Sequence, residues 1–288
     1  MCSHAHGHAI SVGESRKADL VSIYPLAAWV ALLATGVVVG LLAGLLGVGG
    51  GIVAVPVLLE IFIAIGVPAP AIVPLAVGSA QASILVASIT AVVAHWRAGT
   101  IDRALVKDWL PALVVGAVLG LGLGPFAPAK LLTVLFAIIS AGLGVKMALG
   151  DRVRLMGHPP RGRAARLAPA LVGALAAALG IGGGTLSTPV LSLFSFPIRR
   201  AVGAGAVFNL VIALPATLAF LAMDWQTPGR PADTIGDVSM FCVAALSVPA
   251  LFVAPLAARW SSRVPVVLLR QAFALCLCAI AVRILLRT

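Results

Sequence analysis

LLGVGGGIVAVPVLL, residues 45–59, interrupts a stretch otherwise apolar enough to cross a bilayer, with four glycines in positions 47–51. Glycine inside a helix costs about 1 kcal/mol relative to alanine, so such a cluster predicts a break. A second run, ALGIGGGTLSTPVLS at 178–192, repeats the arrangement in the other half of the chain.

Around these breaks the 288 residues are 61% hydrophobic and 10% charged. A soluble domain carries about 25% charged residues, so the composition predicts an all-α polytopic membrane protein. The net charge of +11 does not point to nucleic acid, because the basic residues lie scattered at the ends of apolar segments. Lys and Arg in such places mark cytoplasmic loops. Cys2, Cys242, Cys276 and Cys278 form no CxxC pair and read as small buried hydrophobes. No cleavable signal peptide is evident, since the first apolar run continues into GLLAGLLGVGGG at 40–51.

Apolar segments fall at 26–47, 51–66, 71–95, 109–126 and 129–149, then at 168–180, 184–196, 201–223, 238–257 and 264–286. The chain therefore divides into a polar tail (1–25), a first membrane repeat (26–149), a basic connector (150–167) and a second repeat (168–288). The repeats match in order. Gly47-Val48-Gly49-Gly50-Gly51 answers Gly180-Ile181-Gly182-Gly183-Gly184, and Pro56 answers Pro189. AVGSA at 76–80 answers AVGAG at 201–205, PAKLLTVLFA at 128–137 answers PVVLLRQAFA at 265–274, and Lys146 answers Arg283.

Each repeat has an odd number of segments, which predicts inverted halves: a Gly-broken helical hairpin plus three transmembrane helices in each. The charges agree. Connector 150–167 holds Arg152, Arg154, Arg161, Arg163 and Arg166, and in this topology it shares a side with Arg199, Arg200, Arg259 and Arg263. The opposite side takes DWQTPGRPADTIGD at 224–237, with three Asp and one Arg. The connector is thus expected in the cytoplasm, with both termini outside. Trp29, Trp96, Trp109, Trp225 and Trp260 lie near segment ends, as interface anchors would.

Non-helical backbone survives at membrane depth only where protein or a water-filled cavity receives its polar groups. Paired interruptions in two inverted halves point to a transport site near the midplane. A second half-helix starting near Gly51 or Gly184 would aim unpaired N–H groups at the interior, where they and the helix dipole suit an anion. Glycine would supply positive φ and close approach. Pro56 and Pro189 are expected near the starts of those half-helices, where a missing N–H is tolerated. The competing reading is helix packing, strongest for the small residues Gly40, Ala43, Gly44 and Gly47.

The doubled G-x-G-G-G motif with proline five residues on, and AVG downstream, resembles the sulfite exporter family of TauE/SafE type over roughly 36–288. The resemblance implies a membrane permease for small sulfur-containing anions such as sulfite and sulfonates in the bacterial inner membrane. It carries the family's motif onto Gly47, Gly49, Gly50, Gly51 and Pro56, and onto Gly180, Gly182, Gly183, Gly184 and Pro189.

Other intramembrane polar residues are substrate-site candidates: Gln81 and Ser83 after the first AVG, Asn209 after the second, and Thr185 and Ser187 beside the second glycine turn. Interhelical hydrogen bonding is the alternative for the amides, and back-bonding to the same helix for the hydroxyls. Glu60 reads either as a coupling-proton carrier or as a residue near the outer interface. His95 reads as an interfacial histidine or a proton relay, and Arg199 and Arg200 as positive-inside residues or anion attractors.

The expected function is a secondary transporter of a small anion working by alternating access, in contact with the bilayer. The coupling ion and assembly as a homodimer stay open. No Walker A motif, HExxH motif or acid–base pair is present, so no catalytic residue and no cofactor are expected. The alternative is a metal-cation permease using Cys2, His4, His6 and His8. That reading wants buried Asp, Glu, His or Cys rings, which the apolar segments hardly supply, and no metal residues are assigned.

Overall fold

The computed structural model describes residues 24–123, separate helical positions between 134 and 149, and 164–285 apart from 195, 223–228 and 262. The polar tail, Trp225, and most of segment 129–149 and connector 150–167 lie outside the described residues.

The first half of the chain forms α1 (Leu26–Leu46), α2 (Gly51–Ala64), α3 (Ala69–Arg97) and α4 (Arg103–Leu123). The second forms α5 (Ala164–Leu179), α6 (Gly184–Leu193), α7 (Ile198–Ala222), α8 (Met240–Ser261) and α9 (Val266–Leu285). Between α7 and α8 a small antiparallel ribbon pairs β1 (Thr234–Ile235) with β2 (Val238–Ser239), so the fold is helical with this one β turn among the described residues. α5 begins within the expected connector, at Ala164. Among the described residues five helices, α1, α3, α4, α7 and α8, are long and apolar enough to cross a membrane; α2 and α6 are too short. Large apolar side chains such as Val30, Leu119, Leu171, Leu218 and Phe252 face outward, where lipid would cover them.

Small residues set how the helices touch. On α1, Gly36 abuts the Leu246 carbonyl, Gly40 meets Ala250 and Val253, and Gly44 abuts the Ala254 carbonyl. Four-residue steps on α1 match four-residue steps on α8 in the same order, so the two helices run in the same direction. Likewise Gly116 and Gly120 of α4 abut the carbonyls of Ala170 and Ala174 of α5, again in parallel register. A β-carbon at most of these glycines would enter a main-chain carbonyl, which is the close approach that membrane helices obtain from small residues.

The buried apolar side chains form two clusters. One combines α1, α2 and α3 with α8; the other combines α5, α6 and α7 with α4, joined by Leu46 of α1, Ile52 of α2 and Leu269 of α9. Each half therefore lends its fourth helix to the other half's bundle. The two third helices, α3 and α7, pack against each other between the bundles.

Candidate functional site

Between the bundles the two glycine turns press against one another. α1 stops because Gly47 adopts φ 64°, with the Gly47 and Val48 amides bonding back to the carbonyls of Ala43 and Leu42. Gly49 and Gly50 continue at φ 77° and 73°, and the chain re-enters helix at Gly51. In the second turn Gly180 and Gly182 take φ 69° and 80°, whereas Gly183 is already right-handed at φ −67°. Gly51, Gly183 and Gly184 are not among the positive-φ glycines, so close approach explains them. A β-carbon on Gly51 would lie 2.7 Å from the Gly180 carbonyl oxygen, and one on Gly184 would strike the Gly47 carbonyl. Every residue from 47 to 51 and from 180 to 189 is buried.

One side chain ties the turns together. Asn209 Nδ2 donates to the Gly47 carbonyl at 2.7 Å, and Asn209 Oδ1 accepts the Gly184 N–H at 2.7 Å. Thr185 Oγ1 lies 3.0 Å from the Val48 carbonyl oxygen and 2.9 Å from that of Ile181, so it too joins the two halves. The first N–H of α6, that of Gly184, is thus engaged by protein rather than free, and the helix's own bonding starts with Ser187 donating to the Gly183 carbonyl. At the head of α2 the amide bonding starts only with Val53 and Ala54, both donating to the Gly50 carbonyl. The preceding amides, of Gly51 and Ile52, are those a helix leaves over. Aligning the two AVG motifs puts Ile84 where the second half has Asn209. Ile84 Cδ1 faces Gly51, as the Asn209 amide faces Gly184.

Gln81 is fully buried on α3, and neither Nε2 nor Oε1 has a hydrogen-bond partner among the described residues. It shares a helix face with Val77, which packs on Gly180, and with Ile84, which packs on Gly51. The other expected site residues divide. Ser187 is buried, and its Oγ has no hydrogen-bond partner among the described residues. Ser83 instead donates to the Ser79 carbonyl at 2.9 Å, so its hydroxyl is used by its own helix. Pro56 and Pro189 are each the sixth residue of their half-helix rather than near its first amides. Each therefore withholds a bond the helix would otherwise make, which neighbouring protein can accommodate at membrane depth.

The residue pattern, the interrupted helices and their crossing converge with sequence comparison. The family description "Sulfite exporter TauE/SafE" matches residues 32–284. The chain belongs to that family. A "Probable membrane transporter protein" of Haemophilus influenzae is 27% identical over 259 residues, covering 88% of this chain and 97% of the relative. One from Methanocaldococcus jannaschii is 26% identical over 223 residues, 77% of this chain and 82% of the relative. A third, from Xylella fastidiosa, is 31% identical over 195 residues, 63% and 71% respectively. No solved structure matches. The TauE/SafE chain is therefore a multi-pass membrane transporter, not an enzyme.

Two loops of this transporter are seated on the AVG glycines. Gly78 abuts the Asp237 carbonyl of the α7–α8 loop, and a β-carbon on Gly203 would lie 2.7 Å from the Thr100 carbonyl oxygen of the α3–α4 loop. The first loop is firmly strapped. Asp237 N–H donates to Phe220 at 2.8 Å, Ser239 N–H to Ser79 Oγ at 2.9 Å, and Arg230 pairs with the buried Asp237 carboxylate at 2.9 Å. Asp233 accepts the Ser239 hydroxyl proton at 2.5 Å and the Phe241 N–H at 3.1 Å, while the Tyr24 hydroxyl donates to it at 3.3 Å. Burial pushes the Tyr24 hydroxyl far above its ordinary pKa, so it stays a protonated donor. The second loop is held by His95, whose Nδ1 lies 3.0 Å from Thr100 Oγ1 and whose Nε2 lies 3.1 Å from the Gly44 carbonyl. Its ion pair, Arg200 with Asp102 at 3.4 Å, is solvent-exposed on the arginine side.

Several sequence expectations need correcting here. His95 is buried, not interfacial, because its imidazole supplies the polar contact between α1 and the loop. Trp109 is buried and stacks on Phe208 at 5.8 Å, so it is a core residue rather than an interface anchor. Trp96 and Trp260 are exposed, as anchors would be, and Arg103 lies over Trp96 at 4.4 Å. Glu60 is exposed on α2, which disfavours a buried proton carrier. Arg199 donates to the Val264 carbonyl at 3.3 Å. Cys242 is buried as expected, and the Cys2–His8 cluster lies outside the described residues. The signal that could have separated Asn209 from the other candidates was its alignment with Ile84, a polar residue facing an apolar one across the repeat.

Proposed function

We propose that this transporter moves a small anion, sulfite, a sulfonate or a related organosulfur compound, across the bacterial inner membrane as a secondary transporter. Two inverted halves rock about the crossed glycine turns, exposing the crossing alternately to each side. The observation that carries the reading is the meeting of two interrupted helices at full burial, with Gly51, Gly184, Thr185 and Asn209 in one cluster. Glycine-lined turns let an anion approach backbone amides, and a half-helix start favours its charge. The family's printed description supports sulfur oxyanions as the class.

Inversion draws support from the packing registers. α1 is parallel to α8, and α4 to α5. If direction alternates along each half, with the broken pair turning back on itself, α1 and α5 then run oppositely. The arginine-rich connector is assigned to the cytoplasm by the positive-inside bias.

Flux of labelled sulfite into proteoliposomes tests the substrate class. Accumulation competed by sulfonates and unaffected by divalent metals is expected; metal flux without anion flux would contradict it. Single cysteines in place of Gly157 and Ala232 test the topology. Labelling from opposite sides is expected, and labelling from one side would refute the inverted arrangement.

A further inference from the structure

We infer that the anion is held on one side of the crossing only, by the first amides of α2 together with Gln81. We further infer that it is a monoanion bringing a hydrogen-bond donor of its own. The inference rests on the anion reading above and narrows it.

The asymmetry is the starting point. Asn209 occupies the first amide of α6 by accepting the Gly184 N–H. Its counterpart, Ile84, presents only a methyl to Gly51 and can accept nothing. A ligand oxygen is thus the natural acceptor at Gly51 and Ile52, where the helix dipole adds to the attraction. A helix start alone would not define a site. Gln81 supplies the independent sign, being fully buried with both polar atoms unpartnered. Buried polar groups without partners are rare and call for an explanation. Its neighbours on the same face, Val77 and Ile84, rest on Gly180 and Gly51, which directs Gln81 toward the crossing. The equivalent position in the second half is Ala206, which offers no amide.

Gln81 also limits the ligand's chemistry. Its Nε2 offers donors to an oxyanion, but its Oε1 needs a donor in return. A fully deprotonated, unsubstituted oxyanion has none. A hydrogen oxyanion, or a sulfonate bearing a hydroxyl group, would satisfy both ends of the amide while its charged oxygens meet the α2 amides.

The test uses the purified full-length protein and its melting temperature, titrated with sulfite, 2-hydroxyethanesulfonate and propane-1-sulfonate. The two sulfonates have equal heavy-atom counts and differ in one donor. Wild type is expected to bind the hydroxyl compound about tenfold more tightly than the propyl one. Gln81→Leu should lose that preference and weaken every probe that wild type binds, while melting no lower than wild type without ligand, since an unpaired buried amide is removed. Ile84→Asn should weaken binding independently, by giving Gly51 the partner that Asn209 gives Gly184. Undiminished binding in Gln81→Leu, or its earlier melting with binding intact, would assign Gln81 a structural role and overturn the inference. Equal wild-type affinity for the matched sulfonates would overturn the donor requirement. No wild-type response to any of the three probes would instead overturn the anion reading beneath it.

Discussion

The two glycine turns carry the same G-x-G-G-G motif yet are built differently. The first uses three left-handed glycines and starts its half-helix under the methyl of Ile84; the second uses two and has its start latched by Asn209. The repeated glycine motif supplies two half-helix heads, and one amide side chain turns one of them into a strut. The loops at the two ends repeat the contrast. The α7–α8 loop is pinned by a buried ion pair and a hydrogen-bonded Asp233, whereas the α3–α4 loop relies on His95 and a largely exposed pair. A sequence duplicated in motif is thus not duplicated in mechanics.

The largest expected difference lies between Gly50→Ala and Gly183→Ala. At Gly50 a β-carbon meets the Val39 Cα at 2.7 Å with φ at 73°, so strain and collision together should cost about 3 kcal/mol. At Gly183 the backbone is already right-handed and the nearest atom is the flexible Ile212 Cδ1 at 2.6 Å, so about 1 kcal/mol is expected. Thermal unfolding in detergent measures both; equal losses would erase the distinction between the turns. For the same reason, leucine at either glycine should damage folding as well as flux.

Asn209→Leu comes next. It leaves the Gly47 carbonyl and the Gly184 amide unpaired inside the protein, for about 2 kcal/mol of destabilisation. Ile84→Leu at the equivalent position should cost less than about 1.5 kcal/mol. A ratio near unity would show that Asn209 is no latch. Smallest is Arg200→Gln. Losing an exposed pair should change stability by less than about 1 kcal/mol, and the change should shrink further in high salt. A large, salt-independent loss would mean that the α3–α4 loop is held as firmly as its counterpart.

Much of the architecture was legible because its causes are local. Gly47 and Gly180 end helices where the glycine runs begin, and the small-residue spacing at Gly40 and Gly44 reads directly as helix contact. What stayed hidden depends on distant partners. Asn209 reaches Gly47 across 162 positions, so sequence spacing could nominate it as a buried amide but not decide between ligand and latch. Trp109 and His95 sit near helix ends, where local pattern suggests an interface; only Phe208 and Gly44, far along the chain, make them interior. The Ser83 hydroxyl is engaged by its own helix because a hydroxyl four positions from a carbonyl can bond back to it.

The most direct measurement is the position of a heavy anion at the crossing. Selenite, the heavier analogue of sulfite, can be located by anomalous scattering from crystals of the intact protein. A peak against the amides of Gly51 and Ile52, beside Gln81 and with the Asn209 latch closed, is the predicted result. A peak at Gly184 with Asn209 displaced, or a selenite site remote from both turns, would contradict it.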